Sequence, residues 1–524
     1  MRILLAQPAP FEKGRLGLEN MIWMSEPVAL TAVAGAVIGE GHEVRILDMR
    51  IEEATVFTDT LRTFKPDIVG VTSMTTDCYQ AKALLYSAKR WSKDVVTVIG
   101  GHHPTLSTEE FCDPFIDVIV RGEGEHTFAE LVREVERAKG AGTPPDFSQI
   151  NGIVYREGTA TQPVVCFRKT AARSQSTQLD SLPMPAAHLV EHYRKHYFFM
   201  VAQPMASIFT SRGCSFDCNF CAIWEFYERR TRYLSAKKIV DQMERAKERF
   251  VFILDDNFLT NRRRLEELYE ELRSRRVHKF WMTQGRTDFV AEYPELIAKL
   301  ASVGFMGLLS GYETNDDEAL VELRKKNNRD KNQRAAEILR ENGIVSTGIF
   351  LARPEFDERD FEDLYSGINK LGVALPIVTI LTPLPGTEMY KRRQNDLITD
   401  DLRMFDLLHC VTPTKLPRSE FYRHYARNGN ATAPSLFQGL APKVLARRWD
   451  FWTAAAKNYP RFAWRWWRYR TVHYDPQSFL RDEEGLLVRH ERRPPPPILP
   501  PGVPIPGQAP APDAQNRLHL QVLP

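Results

Sequence analysis

Seven cysteines in 524 residues are too few and too scattered for a disulfide framework, and no apolar run reaches the roughly 18 residues that a membrane-crossing helix needs. Nor does one charge dominate. Lys+Arg 70 against Asp+Glu 67 leave a formal +3, which argues against a dedicated nucleic-acid binder. Met1 and Arg2 run straight into an apolar Ile3–Gln7, so no secretory leader is expected. A cytoplasmic protein is expected. What is present is ordinary for a globular chain: 43% hydrophobic and 26% charged residues exclude global disorder. The length implies about three domains.

Up to about residue 140, short apolar runs alternate with amphipathic stretches. Strands are expected at Ile3–Gln7, Val44–Asp48, Ile68–Ser73, Val95–Ile99 and Val118–Val120, with helices near 28–40, 52–63, 79–92 and 124–138. This alternation predicts an α/β fold with a doubly wound parallel sheet, whose ligands sit outside the carboxyl ends of the strands. Those ends carry Thr72 and Ser73, then Gly100, Gly101, His103 and Thr105, then Gly122 and Glu123. Glycines let backbone approach a bulky flat ligand, while hydroxyls and His103 bond its periphery. The plainer alternative is that Gly100 and Gly101 end a strand and His102 and His103 face water. Residues 152–156 and 164–168 suggest a hairpin, and Leu179–Pro185 an extended, proline-interrupted linker.

Cys214, Cys218 and Cys221 form a Cys-x3-Cys-x2-Cys run directly after strand-like Ser207–Ser211. Three thiolates in one loop suit three irons of a [4Fe–4S] cluster, with the fourth iron open to another ligand. Zinc also accepts thiolates, but a structural zinc site takes a fourth Cys or His, and no pair to complete it lies nearby. Strand-like runs recur near 250–256, 280–286, 305–312, 346–351 and 376–382, giving six β/α units and a partial barrel. Polar residues gather at the expected strand ends: Asp255, Asp256 and Asn257, Gln284 and Arg286, Tyr312 and Glu313, Arg353, and Thr382–Thr387. The plainer alternatives are that Asp255 and Asp256 cap the next helix, that Glu313 is a surface charge, and that Thr382–Thr387 form a rigid Pro–Gly turn.

The cysteine motif, with an aromatic before its last cysteine, resembles the signature of the radical S-adenosylmethionine (SAM) superfamily. The strand ending in Gly-Gly-x-His-x-Thr with a following Gly-Glu turn resembles the cobalamin-binding domain that precedes many such enzymes. The resemblance implies three cofactors: a [4Fe–4S] cluster on Cys214, Cys218 and Cys221, SAM, and cobalamin in its methylated form. It places Phe220 near the adenine and Glu313 against SAM. It assigns Thr72, Ser73, Gly100, Gly101, His103, Thr105, Gly122 and Glu123 to cobalamin. One departure stands out: none of the 13 histidines has an Asp two residues before it, so the Asp-x-His-x-x-Gly motif that ligates cobalt elsewhere is absent. Cobalamin is then expected with its own base displaced and without a ligand from that motif.

Past residue 415 the pattern changes. Five of the nine tryptophans fall between Trp449 and Trp467, and from Lys443 to Arg470 eight Lys/Arg face only Asp450. Helical spacing puts Phe462, Trp466 and Tyr469 on one face, with Arg461, Arg465 and Arg468 beside it. Such a helix suits an anionic membrane surface; packing across the barrel is the other reading. From Pro494 the chain is proline-rich and is expected to be disordered or polyproline-like. The expected division is 1–145 cobalamin-binding, 146–200 hairpin and linker, 201–410 barrel, 411–490 helical and basic-aromatic, and 491–524 tail. Length, the run Cys221–Tyr227 and the basic aromatic C-terminus resemble the hopanoid C-3 methylases. The resemblance implies a cobalamin-dependent radical SAM methyltransferase acting on an unactivated carbon of a small molecule or lipid. It also implies a reductant protein such as a flavodoxin or ferredoxin, and the tail adds peripheral contact with the inner membrane as one option. A cyclase or oxidase of a tetrapyrrole or natural product keeps the same cofactors. A cobalamin- or SAM-binding sensor without turnover is the alternative of another class. Cys410, beyond the sixth strand, is either near substrate or packing.

Overall fold

The computed structural model describes residues 1–9, 22–157, 166–439, 446, 448–468, 476–483 and 498–499. The first sheet is built from β1 (Arg2–Gln7), β2 (Glu43–Asp48), β3 (Ile68–Thr72), β4 (Val96–Gly100) and β5 (Val118–Val120), all parallel, in the order β2-β1-β3-β4-β5. Helices α1 (Val28–Ile38), α2 (Ala54–Phe64), α3 (Cys78–Trp91) and α4 (Gly124–Ala141) connect or follow these strands. Successive strand residues alternate between two cores. Ile3 and Leu5 pack with α1 and α4, while Leu4 and Ala6 pack with α2 and α3. Burial on both faces is why these strands read as continuous apolar runs. The order reverses between β1 and β3, which is where an open α/β sheet leaves its ligand crevice. The antiparallel hairpin β6 (Ile153–Glu157) and β7 (Cys166–Lys169) extends the sheet beyond β5.

The second sheet is a six-stranded parallel open barrel: β8 (Met205–Ile208), β9 (Phe250–Ile253), β10 (Phe280–Gln284), β11 (Phe305–Glu313), β12 (Val345–Ala352) and β13 (Leu375–Ile380). Its outer face packs on α5 (Ala236–Arg245), α6 (Arg262–Ser274), α7 (Pro294–Ser302) and α8 (Arg329–Glu341), and α9 (Glu358–Leu371) joins β12 to β13. The first strand lies two to three residues earlier than the apolar run suggests. Thr210 and Ser211 leave the ladder because the Asp255 carboxylate binds them: it accepts from Thr210 N at 2.6 Å and from Ser211 Oγ at 2.6 Å. Asp255 is therefore a brace for the preceding loop, and Asn261 caps α6 instead.

Beyond the barrel come α10 (Arg418–Ala426), α11 (Trp449–Ala455), α12 (Tyr459–Arg468) and α13 (Pro476–Glu483). Phe451 packs edge-on against Phe250 and Phe280, the first residues of β9 and β10, and closes the amino-terminal end of the barrel. Of the two readings of this helix, its Phe462–Trp466 face follows the second and packs inward, against the barrel core. Arg465 goes with them, stacking 3.6 Å over Phe198 and donating to Met200 O at 2.7 Å. Cys410 is fully buried in that same core and is a packing residue. Tyr469 and the proline-rich stretch lie outside the described residues, apart from Ile498–Leu499, which pairs in parallel with β7. Among the described residues no helix is long and apolar enough to cross a membrane.

Candidate functional site

A cavity of about 180 Å³ opens at the carboxyl ends of β3, β4 and β5, facing the segment that follows β8. Thr72, Gly100, Gly101, Gly122 and Glu123 all line it, joined by Phe209, Arg212, Phe226 and Tyr227 from the second half of the chain. Gly101 has φ +108°, and a Cβ there would stand 2.7 Å from Thr72 Oγ1 and 2.8 Å from Ser73 O. Only glycine lets the two turns meet.

Ser73, His103 and Thr105 are not brought to the cavity wall. They hold its turns from one layer back. Ser73 Oγ donates to Asp77 Oδ1 at 2.9 Å, and Ser73 O accepts from His103 N at 3.2 Å. The His103 ring stands 3.3 Å from Thr75 Oγ1 and edge-on to Phe111. Thr105 Oγ1 donates to Gly101 O at 2.8 Å and accepts from Gly122 N at 3.0 Å, which ties the second turn to the third. The histidine on the wall is His102, a residue the sequence offers no reason to prefer over its neighbour. It packs 4.3 Å from the Phe226 ring, and burial lowers its pKa to about 4, so it is a neutral imidazole at physiological pH.

Glu123 is shared between two arginines of the second half, Arg212 at 3.0 Å and Arg232 at 2.7 Å, and Glu125 also binds Arg212. Arg212 lies two residues ahead of Cys214. The cysteine loop is thus fastened to the turn after β5. The loop is held on its other side by the segment after β11: Asn219 Nδ2 donates to Glu322 O at 2.8 Å, and Lys326 pairs with Asp217 at 2.7 Å. Gly386, at φ +87°, lets the turn after β13 approach the first half closely; a Cβ there would be 2.7 Å from Leu106 Cβ.

Burial raises the pKa of all three thiols, pushing Cys221 up to about 12. At Cys218 the cations Lys325 and Arg286 oppose that rise. The sequence does not mark either as a partner of the cysteines, since only folding brings 286 and 325 to 218. Asn257 Nδ2 stands 3.8 Å from Cys214 Sγ. Among the described residues no three His, Cys, Asp or Glu side chains converge as ligands of a single ion. The donor set is three thiols from one loop, the set a cluster uses with one thiolate per iron.

Glu313 is buried rather than surface-lying. It sits at φ +63° beside a bulge in β11 and accepts from Lys325 Nζ at 2.6 Å. Gly311 leaves room for that carboxylate, since a Cβ there would lie 2.2 Å from Glu313 Oε1. Phe220 packs on Leu323, Leu351, Leu381 and Met389, an apolar patch at the carboxyl ends of β12 and β13. Tyr312 points into the core with its hydroxyl 3.1 Å from Ser346 Oγ, so it is not a site residue. Thr387 caps a short helix, and Arg353 is paired with Glu322 at 2.8 Å. A second interdomain cavity, about 240 Å³, lies behind β8 beside Arg194 and Glu248, with none of the cysteines on its wall.

A ligand-binding open sheet set in front of a six-stranded partial barrel with a three-cysteine loop defines the class. Family comparison agrees on both halves: residues 24–132 match the B12 binding domain and residues 208–367 match the radical SAM superfamily. The chain is a cobalamin-dependent radical SAM enzyme, and its cofactors are cobalamin, SAM and a [4Fe–4S] cluster. It is similar to the hopanoid C-3 methylase of Methylococcus capsulatus, 29% identical over 426 residues that cover 80% of this chain and 78% of that one. It is also similar to the anaerobic magnesium-protoporphyrin IX monomethyl ester cyclase of Rubrivivax gelatinosus, 28% identical over 68% of this chain and 63% of the cyclase. In fold it resembles OxsB, a cobalamin-dependent S-adenosylmethionine radical enzyme solved with aqua-cobalamin and SAM. The TM-score is 0.62 at 16% identity, covering 93% of this chain and 75% of OxsB.

Proposed function

We propose that this chain transfers a methyl group from SAM, by way of cobalamin, to an unactivated carbon of a small apolar substrate, a hopanoid methylated at C-3 being the best-supported case. The observation that supports this reading is the fastening of the cavity at the sheet's carboxyl end to the cysteine loop through Glu123, Glu125 and Arg212, which brings the two candidate cofactor sites together. Bound there, the cofactors supply one-electron cleavage of SAM and a transferable methyl group.

The chain's own residues do the rest. Cys214, Cys218 and Cys221 hold the cluster, with Lys325 and Arg286 favouring the thiolate of Cys218. Glu313, oriented by Lys325, receives a polar end of SAM, and Phe220 with Leu351 and Leu381 packs its flat end. Thr72, Gly100, Gly101, Gly122 and Glu123 hold cobalamin at the cavity, while Ser73, His103 and Thr105 keep its turns in place. The division at 1–145, 146–200, 201–410 and 411–490 belongs to the same reading, as do a flavodoxin or ferredoxin as reductant and peripheral contact with the inner membrane.

A second reading keeps the cofactors and makes a ring or oxidises a C–H position, and similarity to the cyclase favours it. SAM carrying a deuterated methyl group separates the two. Label in the product supports methyl transfer; an oxidised, unlabelled product with 5′-deoxyadenosine supports the alternative.

A further inference from the structure

We infer that the outer face of α12, centred on Trp464 and Trp467, docks on an anionic lipid bilayer. This deepens the peripheral-contact reading above and moves it to a different face from the one helical spacing suggested.

Six large hydrophobic side chains are exposed among the described residues, and four are aromatic and lie within 449–467: Trp449 68%, Tyr459 60%, Trp464 56% and Trp467 61%. Isolated exposed apolar residues are normal on a protein surface, but a group of amphipathic aromatics on one short stretch is not. Trp464 and Trp467 are three residues apart and so share a helix face. The opposite face is half-buried against the rest of the chain, with Phe462 and Trp466 packed on the core and Arg465 on Phe198 and Met200. Just before it, Asn458 donates to Val201 O at 3.0 Å and Gln203 O at 2.6 Å. The helix is thus pinned by one side, and Trp464 and Trp467 lie exposed on the other.

Charge decides the occupant. Arg461 and Arg468 flank Trp464 on the outer side, the helix contains no acidic residue, and the Arg468 guanidinium lies 5.4 Å over the Trp464 ring. Two copies of so basic a face repel one another. The chain's own residues 484–524 offer no complement, with four arginines against Glu484, Glu491 and Asp513. An anionic headgroup layer satisfies both features, since indole rings favour the headgroup boundary and arginines pair with lipid phosphates. Because α11 closes the amino-terminal end of the barrel, the face lies away from the cysteine loop and acts as a tether, not as an entry for substrate.

The test uses the full-length protein sedimented with vesicles of phosphatidylglycerol and phosphatidylcholine, and with phosphatidylcholine alone. The inference expects binding to the anionic vesicles only, weakened by raised salt. It expects about tenfold or greater loss in the W464A/W467A variant, with SAM cleavage unchanged. Failure to bind anionic vesicles, or equal binding by the variant, overturns it. So does a dimer in sedimentation velocity that the variant abolishes, which would make this a self-association face. Vesicle binding needs no turnover, so the docking face and the methyl-transfer reading fail separately.

Discussion

Glu123, in the turn after β5, and Arg212, two residues ahead of Cys214, form an ion pair of 3.0 Å that joins the two halves of the chain. Glu125 strengthens the junction from the next turn of backbone and is only 4% exposed. Between Arg212 and Cys214, Gly213 at φ +89° donates its N–H to Asp256 Oδ2 at 3.0 Å, so the first cysteine is set by both halves at once.

Removing the buried Glu125 carboxylate leaves the half-buried Arg212 charge with Glu123 as its remaining partner. Breaking a buried pair this way costs about 3–5 kcal/mol. Glu125→Ala is expected to lower the unfolding free energy by about 3 kcal/mol in urea titration. A loss below about 1 kcal/mol would show that the pair is screened like a surface one.

Gly101→Ala places a Cβ 2.7 Å from Thr72 Oγ1 in a left-handed backbone region. The strain is about 1–3 kcal/mol and falls on the turn that shapes the cavity. Cobalamin affinity, followed by absorbance, is expected to fall about tenfold or more. Undiminished affinity would remove Gly101 from the binding surface.

Replacing Cys214, Cys218 or Cys221 with Ala should eliminate SAM cleavage and lower bound iron. Lys325→Met tests the pocket differently, because it leaves Glu313 buried without its 2.6 Å partner. With the cluster assembled, SAM binding by equilibrium dialysis should weaken about tenfold or more. Binding equal to the parent protein would separate Glu313 from SAM.

Glu26 accepts from Ser207 N at 2.6 Å and pairs with Arg194 at 2.7 Å, yet burial dominates and raises its pKa from 4.5 to about 7. The folded state therefore holds a proton that the unfolded state releases between those values. The stability it confers is present below about pH 4.5 and lost as pH rises through 7, about 3 kcal/mol in all. Glu26→Gln should flatten this part of the pH–stability curve. An identical slope in parent and variant would contradict the assignment.

Both sheets were legible because their strands are buried on two faces and read as apolar runs at regular spacing. The cysteine loop was legible because Cys214, Cys218 and Cys221 are close neighbours in sequence. What could not be read depends on pairs distant in sequence. Asp255 shortens β8 through Thr210 and Ser211, 44 to 45 residues away. His102 faces the cavity and His103 does not, a choice made by the contact of His102 with Phe226. On α12 the periodicity was real, but whether Phe462 and Trp466 or Trp464 and Trp467 face outward is decided by the barrel floor against which the helix lies.

The most direct test of the account is turnover by anaerobically reconstituted protein with cobalamin, a reductant, SAM deuterated in its methyl group and a bacterial triterpenoid extract. Methyl transfer to a hopanoid predicts a deuterium-labelled methylhopanoid together with 5′-deoxyadenosine and S-adenosylhomocysteine. Both nucleoside products without labelled lipid would contradict the substrate, and neither product from cluster-loaded protein would contradict the chemistry.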